Sequence, residues 1–159
     1  MNTTLSNLED LQNQIIAMVK TVKTGTSDEW RCSIPDENVL GVMRDASAFY
    51  TYPAVMVLFG DEVLKSITAM RDKWDGEILL TLLVYVSRDE MEAVVHDLKR
   101  LLASISRSKV NDATNPWIFQ TAEKTTQGIH AERNYIEGID LCVVKLYVVT
   151  LMRGQKVTF

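Results

Sequence analysis

The run Tyr52-Pro53-Ala54-Val55-Met56-Val57-Leu58-Phe59-Gly60-Asp61, with the apolar stretch Ile78 to Val86 soon after it, most constrains how this chain can fold. Six apolar residues opened by a proline and closed by Gly-Asp are too few for a core helix and have the boundaries of a buried strand. We read them as an early strand of a central sheet. Pro53 suits a first strand residue, which need not donate to the ladder, and Gly60 suits a release into a turn. No catalytic group lies inside the run.

The length of 159 residues fits a single domain spanning 1–159, and 47% hydrophobic with 24% charged residues is the balance of an ordinary globular protein. A formal charge of -4 argues against a surface built to neutralise many phosphates. Cys32 and Cys142 stand far apart with no CxxC or Cys/His grouping, which predicts two core thiols in a reducing compartment. The first residues lack a basic segment followed by an apolar one, so no secretory signal is read. The longest apolar stretch is about half of the roughly 20 residues a membrane helix needs.

Residues 6–23 predict an amphipathic helix, with Leu8, Leu11, Ile15, Ile16, Val19 and Val22 on one face. Ser6 and Glu9 have the spacing of a capping box, and Thr24-Gly25-Thr26-Ser27 ends the helix. Trp30 to Ile34 alternates with period two and predicts a short strand cut off by Pro35. Residues 36–52 support only a short helix capped by Asp36. Asp75-Gly76 is the strongest hairpin signal, because a type I′ turn needs positive φ at both positions. It predicts pairing of Lys73 with Ile78, Arg71 with Leu80, Ala69 with Leu82 and Ile67 with Val84.

Ser87 and Glu90 repeat the capping-box spacing and open a helix over 88–106. Met91, Val94, Val95, Leu98, Leu102 and Ile105 form its buried stripe; Glu92, His96 and Arg100 line its wet side. A polar loop follows at 110–116, then Trp117-Ile118-Phe119, a strand from Ile129 to Tyr135, and a turn at Glu137-Gly138. The closing segment Ile139 to Met152 is apolar on both faces, as a central strand covered on both sides would be, and one cover could come from a neighbouring subunit. The order predicts an α+β fold: a mixed, mostly antiparallel sheet, two amphipathic helices packed on one face, and a protruding β-hairpin.

The search for chemistry returns little. His130-Ala131-Glu132 matches the first half of a zinc deaminase motif, whose second half, P-C-x-x-C, is absent. His96 has no second ligand four residues away, and there is no glycine-rich phosphate loop, nucleophile elbow or H-E-x-x-H. Asp28-Glu29, Asp36-Glu37 and Asp61-Glu62 are adjacent pairs rather than convergent carboxylates. No catalytic residue, metal site or cofactor is assigned.

The amphipathic first helix, the segment Tyr52 to Asp61, the hairpin around Asp75-Gly76, the Ser87-capped helix and a closing strand ending Leu146-Tyr147-Val148-Val149-Thr150-Leu151-Met152-Arg153 together resemble the tail terminator, or tail completion, proteins of long-tailed bacteriophages. Trp117 to Gln127 departs from the family pattern. The resemblance implies a ring, usually of six copies, at the head-proximal end of the virion tail, assembled in the host cytoplasm. Such a ring caps the tail tube, ends its polymerisation and presents a surface to the head-tail connector protein, while DNA passes through the lumen without specific binding. On this reading Arg71, Lys73, Trp74 and Ile78 at the hairpin supply a subunit interface. Arg107, Lys109, Asn111 and Asp112 lie in a loop that would contact the connector or tube protein. For Arg71 and Lys73 the plainer account is that their stems cover the core edge. Two alternatives stay open: another connector or tube-related structural protein, and a small ligand-binding or regulatory domain.

Overall fold

The computed structural model describes residues 4–67, 73–107, 118–120 and 129–155, with side chains described at 12–60, 79–104 and 129–147. Helix α1 (Thr4–Lys20) leads through coil and a short 3-10 turn (Asp36–Asn38) into strand β1 (Val39–Leu40). A loop, 41–53, carries a second 3-10 turn (Ala46–Ala48) and delivers the chain to β2 (Ala54–Ile67) and β3 (Lys73–Val86). Helix α2 (Met91–Arg107), β4 (Ile118–Gln120), β5 (His130–Tyr135) and β6 (Cys142–Gln155) complete the order.

The strands form a six-stranded sheet in the order β1-β2-β3-β6-β4, with β5 also pairing β6. Among the described pairings only β1 against β2 is parallel. The fold is therefore α+β with a mixed, mostly antiparallel sheet. Strand period decides which side chain goes where. Val55 and Val57 on β2, Leu80, Leu82, Val84 and Val86 on β3, and Cys142, Val144 and Leu146 on β6 point to one face. There they meet Ile15 and Val19 of α1 and Val94, Val95, Leu98 and Leu102 of α2, so both helices cover the same side. Leu80, Leu82, Leu98, Leu102 and Leu146 are fully buried. Each contributes roughly 1.5–3 kcal/mol by leaving water.

The opposite face is covered differently. Ala54, Met56, Leu83, Tyr85 and Leu141 form a smaller cluster beneath Leu40 of β1 and Ala46, Phe49 and Tyr52 of the 41–53 loop. That loop is pinned to the sheet by polar groups. The Tyr85 hydroxyl donates to the Arg44 carbonyl at 2.8 Å, and the buried Asn38 amide donates to the carbonyls of Thr51 and Pro53 at 2.8 and 3.2 Å.

Several expectations are corrected. Asp75-Gly76 is not a turn. Both residues lie inside β3, where Asp75 faces Ser66 on one side and Arg153 on the other, and Gly76 faces Leu64 and Met152. Pairing on both edges overrides the local turn preference, and the connection between β2 and β3 falls at 68–72, outside the described residues. Gly60 does not release the chain either. Tyr52 and Pro53 precede the strand, and the rest of the run and the first hairpin arm are one 14-residue strand, Ala54–Ile67, with a register shift between Phe59 and Glu62 and a second between Leu64 and Ser66. Trp30 to Ile34 forms coil rather than a strand. The segment after Asp36 is a single 3-10 turn running into β1.

Other expectations agree. α2 buries Met91, Val94, Val95, Leu98 and Leu102, and adds Leu101; Glu92, His96 and Arg100 are exposed. Gly138 takes φ +84° in the turn between β5 and β6. β6 is central, flanked by β3 on one side and by β4 and β5 on the other.

Candidate interaction surface

Polar groups in the helix-side core act as braces. Asp97 is wholly buried on α2, and its Oδ2 accepts the backbone N–H groups of Arg31 and Cys32 at 2.8 and 2.9 Å. This one carboxylate ties the coil after α1 to the second helix. Burial, and the hydrogen bond and charge of Asp97, push the Cys32 thiol well above its ordinary range. Burial likewise raises Cys142. Both cysteines are free and buried, and neither is poised as a nucleophile.

His96 packs its Nδ1 3.3 Å from the other oxygen of Asp97, and His130 stacks on Tyr147 with ring centroids 5.3 Å apart. Among the described residues no group of three or more His, Cys, Asp or Glu side chains is arranged to hold a metal ion. At the surface, Lys23 holds the Asp36 carboxyl below its usual range through a 2.9 Å ion pair. Arg133 of β5 reaches Glu92 of α2 with both guanidinium arms, at 2.9 and 3.3 Å. Among the described residues no helix is long and apolar enough to cross a membrane.

Among the described residues, the least covered surface is the sheet face on which neither α1 nor α2 packs. The 41–53 loop shields only the end of this face near Ala54 and Tyr85. Beyond it β2, β3 and β6 present Leu58, Gly60, Leu79, Thr81 and Tyr147, and with Met43 these line an open cleft of about 460 Å³. Leu79 is 38% exposed and Met43 53% exposed, although both are apolar. Lys145 stands on the rim. The shape of the cleft depends on Gly60. A Cβ there would lie 3.2 Å from the Leu79 Cβ, so glycine lets the bulged β2 and β3 keep Leu79 close to the backbone.

A second exposed apolar feature lies at the end of the sheet. The Ile136 N–H donates to the Leu141 carbonyl at 3.0 Å and closes the β5–β6 turn, which leaves Ile139 55% exposed and Tyr135 58% exposed. The Arg88 guanidinium lies 4.8 Å over the Tyr135 ring.

Of the interface residues read from sequence, Lys73, Trp74 and Ile78 lie on β3, opposite Gln155, Gly154 and Thr150 of β6. Arg71 falls outside the described residues. Arg107 is the last residue of α2, and Lys109, Asn111 and Asp112 again fall outside. The cleft residues were missed as a set because they come from four separated segments. The one sequence signal was Val42-Met43, an adjacent apolar pair early in the 41–53 loop.

No family model matches the chain, and no curated protein matches it. Among solved structures it is similar to a chain of the "Virion of native gene transfer agent (GTA) particle", with 10% sequence identity and a TM-score of 0.45, covering 92% of this chain and 91% of that one. The similarity is too slight to carry a fold or an activity from one chain to the other.

Proposed function

We propose that this chain, as a single tail-terminator-like unit over 1–159, is a structural protein of a phage-type virion. It forms a ring, of six copies by the family's usual count, that caps the tail tube, ends its polymerisation and offers a surface to the head-tail connector protein. Its place is the head-proximal end of the tail, and its work is assembly rather than catalysis. The sequence pattern supplies the family resemblance. The observation that carries the reading is the half-covered sheet: helices shield one face, while Leu58, Leu79 and Tyr147 leave an apolar cleft on the other. An apolar face of this kind marks a protein contact.

Light scattering behind size exclusion, followed by negative-stain imaging, tests the proposal. A mass near six times the 18.0 kDa chain, with rings holding a central hole, is the expected result. Addition of the protein to polymerising tail-tube protein is expected to shorten the tubes and leave a cap at one end. A monomer or dimer at every concentration, unchanged by tail tubes, would overturn the reading.

A further inference from the structure

We propose that the β5–β6 turn of one copy docks into the helix-free cleft of the next, making a head-to-tail contact between copies. This rests on the ring reading and names the two surfaces that would close the ring.

The turn is convex and preformed. Its hydrogen bond from Ile136 to Leu141 and the left-handed Gly138 hold Ile139 outward, so little conformational freedom is lost on docking. The cleft is concave and apolar, floored by Leu58, Leu79 and Thr81 and walled by Met43 and Tyr147. Charge favours the match. Between Asn134 and Lys145 the charged residues are Glu137 and Asp140, both acidic and exposed. Arg88, which lies over Tyr135 and donates its backbone N–H to Asp140 at 3.4 Å, offsets Asp140 and leaves Glu137 as the free acidic group of the turn. The cleft rim carries Lys145 as its one charged lining residue. Glu132 faces Lys145 across the β5–β6 ladder and offsets part of that charge.

The turn cannot fill its own cleft. Cys142, where the turn joins β6, and Tyr147, on the cleft wall, are separated by a stretch of extended strand about 17 Å long at ~3.3 Å per residue. The contact must therefore form between copies. Because turn and cleft are different patches, the contact is heterologous, the kind that generates rings when the rotation closes. A turn alone falls short of the ~800 Å² per partner typical of stable interfaces. The exposed Val42, next to Met43 on the same loop, extends the apolar patch.

The test uses the full chain and the variants Ile139→Asp, Leu79→Asp, Lys145→Glu and Glu137→Lys, each checked for folding by circular dichroism and then sized by light scattering. Ile139 is in an exposed turn, so its variant stays informative if Leu79→Asp fails to fold. Ile139→Asp and Leu79→Asp are each expected to weaken association at least tenfold. An equimolar mixture of the two retains one intact turn-cleft pair and is expected to give a complex of two chains that grows no further. Lys145→Glu weakens association, and adding Glu137→Lys in the same chain restores it. Folded Ile139→Asp and Lys145→Glu proteins with wild-type mass would overturn the docking and leave the ring reading standing. A wild-type chain that stays monomeric, with or without tail tubes, would overturn both.

Discussion

Asp97 shows how much one side chain can organise. It is fully enclosed, yet two backbone amides satisfy one of its oxygens, so burial is offset by charge-assisted hydrogen bonds. Asp97→Leu keeps the branching of the side chain, adds bulk at a fully buried site and orphans both amides. It is expected to lower stability by about 2–4 kcal/mol, read as a lower urea midpoint at unchanged slope; an unchanged midpoint would mean that the amides find other partners. Asp97→Asn, which retains an acceptor, is expected to cost less. A second residue-scale expectation concerns alkaline pH. Burial raises Cys32, Cys142 and Tyr85, so each keeps its proton in the folded chain where the unfolded chain has released it. Unfolding then releases protons, and stability is expected to fall as pH climbs above the ordinary thiol value of 9.0. Thermal melts across that range check it, and Cys32→Ser with Cys142→Ser should flatten the slope.

Between elements, side chains continue pairing where the backbone stops. β1 pairs β2 only at Val39 and Leu40, and just beyond it the Gln12 amide of α1 donates to the Gly41 and Val57 carbonyls, each at 2.9 Å. Gln12 thus extends the sheet edge and anchors the helix. Gln12→Leu is expected to cost about 1–3 kcal/mol and to speed amide exchange first in α1 and the 41–53 loop; uniform exchange across the chain would count against that anchor. Gly60→Ala should push against Leu79 and cost ~1 kcal/mol or more, with a change in cleft shape visible in Leu79 methyl shifts. These braces also explain what the sequence could and could not reveal. The apolar stretches of β2, β3 and β6 and the stripe of α2 were legible because their apolar period agrees with burial, whereas the expected pairing of Ile67 with Val84 and Lys73 with Ile78 gives way to Ile67 with Trp74 and Lys73 with Gln155. Trp30 to Ile34 does alternate, with Cys32 and Ile34 buried, but its amides go to Asp97 and the Val22 carbonyl instead of a ladder. Asp75-Gly76 misled because turn propensity is local, whereas the β3 pairing that absorbs it involves residues as distant as Arg153. The cleft was illegible for the same reason: no local rule joins Met43, Leu58, Leu79 and Tyr147.

At the scale of the whole molecule, the proposed ring requires a surface that lets a nucleic acid pass without gripping it. Neutralising phosphates releases counterions, so a chain that grips DNA shows binding that collapses as salt rises. Acidic residues outnumber basic ones here, 21 to 17, and the charge is dispersed by local pairing: Lys23 to Asp36, Arg133 to Glu92, Arg88 over Tyr135 and Arg100 over Trp30. Cations engaged in this way have less to gain from a phosphate. The expectation is that the assembled protein shows no saturable binding to duplex DNA by fluorescence anisotropy, even at low salt where surface electrostatics is strongest. Tight binding at low salt that vanishes at physiological salt would reveal a continuous basic track along the lumen. It would make the ring an active clamp on the DNA, and the passive-conduit part of the proposal would fall while the assembly part stood.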